Sequence, residues 1–86
     1  MDINLILPIV FNTEETLIRS NLDLDVDVSD CVIKSMVFYT INAISVYIEA
    51  GMSYTMIHSN GDDFICNLPM IKVEALIAES LITNKF

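Results

Sequence analysis

ISVYIEAGMSYTMIHSNGDDFICNLPMIKVEALIAESL, residues Ile44 to Leu81, is the stretch whose reading decides the fold. Ile44, Val46 and Ile48 alternate with Ser45, Tyr47 and Glu49, the period of a half-buried strand, and the run ends at Ala50-Gly51. Asn60-Gly61 separates two further alternating runs, residues 53–59 and 62–67. Both turn residues accept the positive φ of a type I′ turn, so the pair marks a two-residue hairpin. Such a loop fixes register, placing Ile57 opposite Phe64, Thr55 opposite Cys66, Met56 opposite Ile65 and His58 opposite Asp63. A slip of one residue would send every side chain to the other face. Leu68-Pro69 then opens a helix, where the missing proline N–H costs nothing. Met70, Val73, Ile77 and Leu81, reinforced by Leu76, form its apolar stripe, with Lys72, Glu74 and Glu79 mostly off it. Residues from Thr83 onward read as a frayed tail.

Upstream, the dense aliphatic run Asp2 to Val10 reads as a strand. Pro8 cannot donate to a ladder, which predicts an edge position or the strand's end. The run is either an ordinary edge strand or one lent to a neighbouring subunit. Asn12-Thr13-Glu14-Glu15 has a capping side chain followed by carboxylates, the composition of a helix start. Leu17 and Ile18 give that helix a small apolar face and Asn21 stops it; at under three turns it needs tertiary support. Leu22 to Val28, LDLDVDV, alternates strictly and predicts a strand with Leu22, Leu24, Val26 and Val28 on one face and Asp23, Asp25 and Asp27 on the other. After a turn at Ser29-Asp30, residues 31–40 are apolar on both faces, as in a central strand covered on two sides. Ile41-Asn42-Ala43 is the bend before the organising stretch. The expected architecture is α+β: one domain over 1–86, with a mainly antiparallel sheet of four to six strands, a C-terminal amphipathic helix and a short N-terminal helix.

The chemistry available is narrow. Asp23, Asp25 and Asp27 open like a calcium loop, but Val28 stands where that loop's turn needs glycine, and Lys34 where its closing glutamate belongs. Two readings of the acidic face remain: carboxylates that keep an exposed strand from sticking to its neighbours, or a docking surface formed by Asp23, Asp25, Asp27 and Asp30 for a basic partner. His58 opposite Asp63 is read as structural, with no partnering nucleophile identifiable from the sequence. Gly51 and Gly61 are the two glycines, too few for a phosphate-cradling loop. Cys31 and Cys66 fit neither a zinc spacing nor a redox pair. Both are expected as reduced, mostly buried thiols, with a mutual disulfide as the alternative. No catalytic residue, metal or cofactor is expected.

Composition adds a constraint from the other side. Of 86 residues, 53% are hydrophobic, more than a chain this short can hide in its own core. The surplus predicts a homo-oligomer or an obligate partner. The longest uncharged run, residues 35–48, is too short for a spanning helix, and the N-terminus lacks a signal peptide's basic start and cleavage site. A cytoplasmic protein without membrane contact is expected. The net charge of −8 is uneven: residues 1–30 hold seven acids against Arg19, and residues 31–86 five acids against Lys34, Lys72 and Lys85. Four scattered cations make no phosphate-binding patch, so direct nucleic-acid binding is not expected.

Ile44-x-x-Tyr47-Ile48-Glu49-Ala50, Tyr54-Thr55-x-Ile57-His58, Asn60-Gly61-Asp62, Phe64, Leu68 and Val73-Glu74-x-Leu76 together resemble the LytTR family of bacterial response-regulator DNA-binding domains. The likeness covers about 40 residues and implies a strand–hairpin–helix topology. The family's basic DNA-contacting positions have no match here, so no functional residue is carried over. Two functions follow as expectations. The first is a non-enzymatic interaction or assembly module, of the inhibitor or virion-accessory kind, that self-associates and docks a basic protein surface. The second is a small transcriptional regulator resembling a truncated LytTR domain. A small-ligand-binding oligomer is a third.

Overall fold

The computed structural model describes residues 2–83, with the side chains of residues 4–81. In chain order it contains β1 (Asp2–Phe11), α1 (Glu14–Asn21), a 3-10 turn at Val28–Asp30, β2 (Val32–Thr40), β3 (Ala43–Glu49), β4 (Met52–Ser59), β5 (Asp62–Cys66) and α2 (Met70–Thr83). The strands form one antiparallel sheet in the order β2-β1-β5-β4-β3. This is the expected α+β arrangement.

The connection between β2 and β3 dictates the sheet's shape. These strands lie at opposite ends of the sheet, yet only Ile41 and Asn42 separate them. The three Cα steps from Thr40 to Ala43 span at most about 11 Å. In a flat sheet the two outer strands would be about 19 Å apart. The sheet must therefore curl until its ends approach. Polar contacts fasten the corner: the Ser59 hydroxyl donates to the Thr40 carbonyl, the Asn42 N–H to the His58 carbonyl at 2.8 Å, and the Asn60 N–H to Asn42 Oδ1 at 2.8 Å. Across the concave side Phe38 of β2 meets Phe64 of β5 in a T-shaped contact, centroids 5.4 Å apart. Leu5, Leu7, Ile9, Phe38, Ile57 and Cys66 fill this hollow together with Ile41 and Val73 of α2.

The organising stretch folds as its sequence dictates. β4 and β5 pair with Thr55 opposite Cys66, Met56 opposite Ile65, Ile57 opposite Phe64 and His58 opposite Asp63. Asn60 and Gly61 take φ of 51° and 85°, the left-handed pair of a type I′ turn. Ala50 and Gly51 repeat this geometry between β3 and β4, at φ of 51° and 76°. The Pro69 carbonyl accepts the first helical bond, from the Val73 N–H at 3.2 Å, so α2 begins directly after the proline. Buried Thr55 donates to the Leu68 carbonyl at 2.8 Å and holds the helix entry against the sheet. Val73 is fully buried, and Leu76, Ile77 and Leu81 pack beside it. The tail expected from Thr83 begins inside α2 and otherwise lies outside the described residues.

Three expectations are corrected. β1 is an interior strand, between β2 and β5, and supplies Leu5, Leu7 and Ile9 to the core. Pro8 is tolerated there because its carbonyl already faces β5, accepting from the Asn67 N–H at 2.8 Å. Its missing donor therefore lies where the short β1–β5 ladder ends at Ile9 and Cys66. β2 is an edge strand, and Ile33, Val37 and Tyr39 are exposed rather than covered. LDLDVDV forms no strand: Leu22 closes α1, Asp23 adopts φ of 58°, and residues 24–27 run as an irregular segment into the 3-10 turn. β1 is flanked by β2 and, at Ile9 and Cys66, by β5, and the segment pairs with neither. It crosses the convex face of the sheet instead, and only its later residues turn inward. Val28 is buried and Val26 half-buried, whereas Leu22 and Leu24 remain exposed.

Candidate interaction surfaces

The acidic segment is an anchored loop. α1 starts with a reciprocal cap, in which the Thr16 N–H donates to Thr13 Oγ1 at 3.1 Å and the Thr13 N–H to Thr16 Oγ1 at 2.7 Å. From the helix's last turn, Arg19 donates to the Asp25 carbonyl at 2.7 Å and lies 3.7 Å from the Asp30 carboxylate. The Asp27 N–H donates to Asp30 Oδ2 at 3.0 Å. On the sheet side, Glu49 of β3 accepts from the Val28 N–H at 2.7 Å and from the Tyr47 hydroxyl at 2.9 Å. Arg19 and Glu49 thus hold the loop from both flanks. A small cleft of about 240 Å³ lies beneath it, lined in part by Val10, Val28, Tyr47, Glu49 and Ile65.

The predicted acidic residues consequently have different surroundings. Asp30 is engaged with Arg19 and the Asp27 backbone, while Asp23, Asp25 and Asp27 lie exposed along the loop. They do not form the single planar face of a strand. Among the described residues, no group of three His, Cys, Asp or Glu side chains is placed to hold a metal ion. Cys66 is buried and Cys31 half-buried, and both are free thiols. Burial pushes both thiols above their ordinary value of 9.0, with Asp30 and Glu49 adding to the effect at Cys31.

The convex face also carries a polar relay across three strands. His58 Nδ1 lies 2.6 Å from Asp63 Oδ1, and His58 Nε2 lies 3.1 Å from Ser45 Oγ. The His58–Asp63 juxtaposition is legible from the Asn-Gly register. Ser45 escaped the sequence reading, although treating Ala50-Gly51 as a two-residue loop places it diagonally beside His58. Ser, His and Asp in this order have the connectivity of a hydrolytic triad. Here Ser45 stands mid-strand on an open face and not at a helix N-terminus, where backbone N–H groups would supply oxyanion donors. Asp63 is exposed, and none of the three residues lines the cleft beneath the acidic loop or the groove between β3 and α2.

Apolar surface is the larger feature. Among the described residues nine hydrophobics are buried and thirteen large ones are exposed. Ile6, Ile33, Val37 and Tyr39 make a patch on the convex side of β1 and β2. Val46 and Ile48 stand on the free edge strand β3 at 55% and 67% exposure. Beside them an open groove of about 330 Å³ is lined by Ile41, Ile44, Ile77, Ala78 and Leu81, with Asn42, Ala43 and Glu74 at its border. Among the described residues no helix is long and apolar enough to cross a membrane. No protein-family model matches the chain, and no curated protein or solved structure is significantly similar to it, so the LytTR-type likeness rests on the quoted residues alone.

Proposed function

We propose that this chain is a non-enzymatic, cytoplasmic protein-interaction or assembly module that self-associates through apolar surface and presents an acidic loop to a basic partner. The observation that carries this reading is the exposed apolar surface, with Ile6, Ile33, Val37 and Tyr39 gathered in one patch and Val46 and Ile48 bare on β3, a kind of surface that normally marks contact with another chain. The loop bearing Asp23, Asp25, Asp27 and Asp30 supports the second half. Its backbone is held by Arg19 and Glu49, so the carboxylates are presented with little further ordering. An inhibitor or virion-type accessory protein is a role of this kind. The test uses a lysine-rich peptide titrated against the intact protein at two salt concentrations. Binding should weaken with salt and be reduced at least several-fold by Asp23→Asn with Asp25→Asn. Salt-independent binding, or none, would remove the acidic loop from the proposal.

The alternative is a small regulator of the LytTR type, favoured by the β3–β4–β5–α2 order that the resemblance implies. A gel shift with random duplex DNA at low salt separates the two, since only the regulator should bind. The Ser45–His58–Asp63 relay makes a hydrolysis assay on an activated ester a useful control. Turnover abolished by both Ser45→Ala and His58→Ala would replace the non-enzymatic reading.

A further inference from the structure

The edge of β3 and the groove next to it are complementary to each other. β3 pairs with β4 on one side only, leaving a row of unpaired backbone groups on the other. The period of the strand places Ile44, Val46 and Ile48 on one face, the face on which α2 lies. Ile44 is half-buried as the floor of the groove, while Val46 and Ile48 project beyond the helix with no cover. The same short strand thus carries an apolar recess at its start and two apolar projections at its end. Left wet, the groove would hold water against a largely aliphatic lining.

We infer that the occupant of this surface is a second copy of the chain, joined by two-fold antiparallel pairing of β3 with β3 about Val46. This rests on the self-association proposed above and assigns it a surface. With Val46 on the axis, Ile48 of each copy falls opposite Ile44 of the other and enters its groove, once on each side of the axis. The contact closes on itself, as an isologous dimer requires. Charge favours this edge as well. Between Ala43 and Ile48 the strand has no charged residue, and Glu49, already held by Val28 and Tyr47, falls opposite the small Ala43 of the other copy. The opposite edge, β2, carries Lys34 within the strand, the usual guard against such pairing. A stable dimer buries about 1,200–2,000 Å² in total, so it needs contact beyond the pairing of two short strands. The groove between β3 and α2 provides the remaining contact.

Sedimentation equilibrium of the intact protein over a dilution series should give a mass approaching twice 9.7 kDa. Val46→Lys, which puts like charges on the axis at an exposed position, should return the mass to that of a single chain with an unchanged circular dichroism spectrum. Val37→Lys, on the other sheet edge, should leave the dimer intact. In a Cys31→Ser background, Val46→Cys should form a covalent dimer on mild oxidation, because only the axial residue meets itself. Ile48→Cys alone should not, whereas Ile44→Cys together with Ile48→Cys should. A single chain at every loading up to about 1 mM would overturn both this inference and the self-association beneath it. A dimer that ignores Val46→Lys and does not cross-link through Val46→Cys would overturn the β3 assignment and leave self-association standing. Open-ended oligomers would point to β2 pairing with β3 of the next copy and would likewise overturn the closed dimer.

Discussion

Ala50 sits at the first position of a type I′ turn with φ of 51°, where a side chain with a Cβ is disfavoured. At the equivalent position of the next hairpin the chain uses Asn60, which tolerates that region. Ala50→Asn should therefore stabilise the fold by about 0.5–1 kcal/mol, read as a melting point raised by several degrees in a domain this small. An unchanged or lower melting point would mean that the turn is not strained by alanine. Tyr47 makes the complementary case for pH. Its hydroxyl donates to Glu49, and this hydrogen bond, with burial and the nearby carboxylate charge, holds the phenol above its ordinary value of 10.0. The native state then keeps a proton that the unfolded chain releases, so this contribution is present below pH 10 and drains away as pH rises through the native value. The raised thiols of Cys31 and Cys66 act in the same direction from about pH 9.0. In urea titrations, Tyr47→Phe should retain the loss that begins near pH 9.0 and lack the further loss above pH 10. An identical alkaline profile in both proteins would remove the Tyr47–Glu49 bond from the account.

Elements built from local signals were legible in the sequence, and those built from a choice of partner were not. The Asn60-Gly61 turn fixes the β4–β5 register through two residues, and all four predicted opposite pairs occur. Pro69 and the stripe through Val73 and Ile77 specify α2 in the same local way. By contrast, two apolar faces over residues 31–40 read as a central strand, whereas β2 is an exposed edge. Only the pairing of β1 with both β2 and β5 decides between them. LDLDVDV failed for a similar reason: alternation specifies faces, but a strand also needs a ladder to join, and residues 24–27 pair with none. The acidic residues were visible, while Glu49, which holds their loop from the sheet side, comes from a distant strand and left no local signature; Arg19 lies only six residues before Asp25. Within α2, Ser80 is a feature no pattern marks. Its hydroxyl is buried and has no hydrogen-bond partner among the described residues. Ser80→Ala removes that unsatisfied group and improves helix propensity, so it should raise stability by about 1 kcal/mol in urea unfolding. A loss of stability would show that the hydroxyl is paired in solution.

The whole molecule is extended for its length, with a radius of gyration of 14.1 Å against about 12 Å for a compact chain of this size. An elongated body has more surface to cover, consistent with a core of few residues and a large apolar exterior. That body also carries a net charge of −8, with seven of its twelve acids in the first thirty residues. Arg19 with Asp30 is an attractive pair, whereas Asp23, Asp25 and Asp27 stand exposed and repel one another. Added sodium chloride should therefore stabilise the fold, because the screening length falls from about 30 Å at 0.01 M to about 8 Å at 0.15 M. The expected result is a melting point that rises by several degrees over that range. Salt would also ease the approach of two acidic copies, and mass action would then raise the melting point at high protein concentration. Repeating the series at two widely separated concentrations isolates the two effects: the intramolecular part is common to both, and the association part grows with concentration. Asp23→Asn with Asp25→Asn lowers the net charge from −8 to −6 at exposed positions, and asparagine tolerates the left-handed backbone at residue 23. This pair should flatten the salt dependence at both concentrations. A melting point that falls with salt would mean that attraction outweighs repulsion on this surface, and the acidic loop would then already be neutralised within the chain instead of standing open to a basic partner.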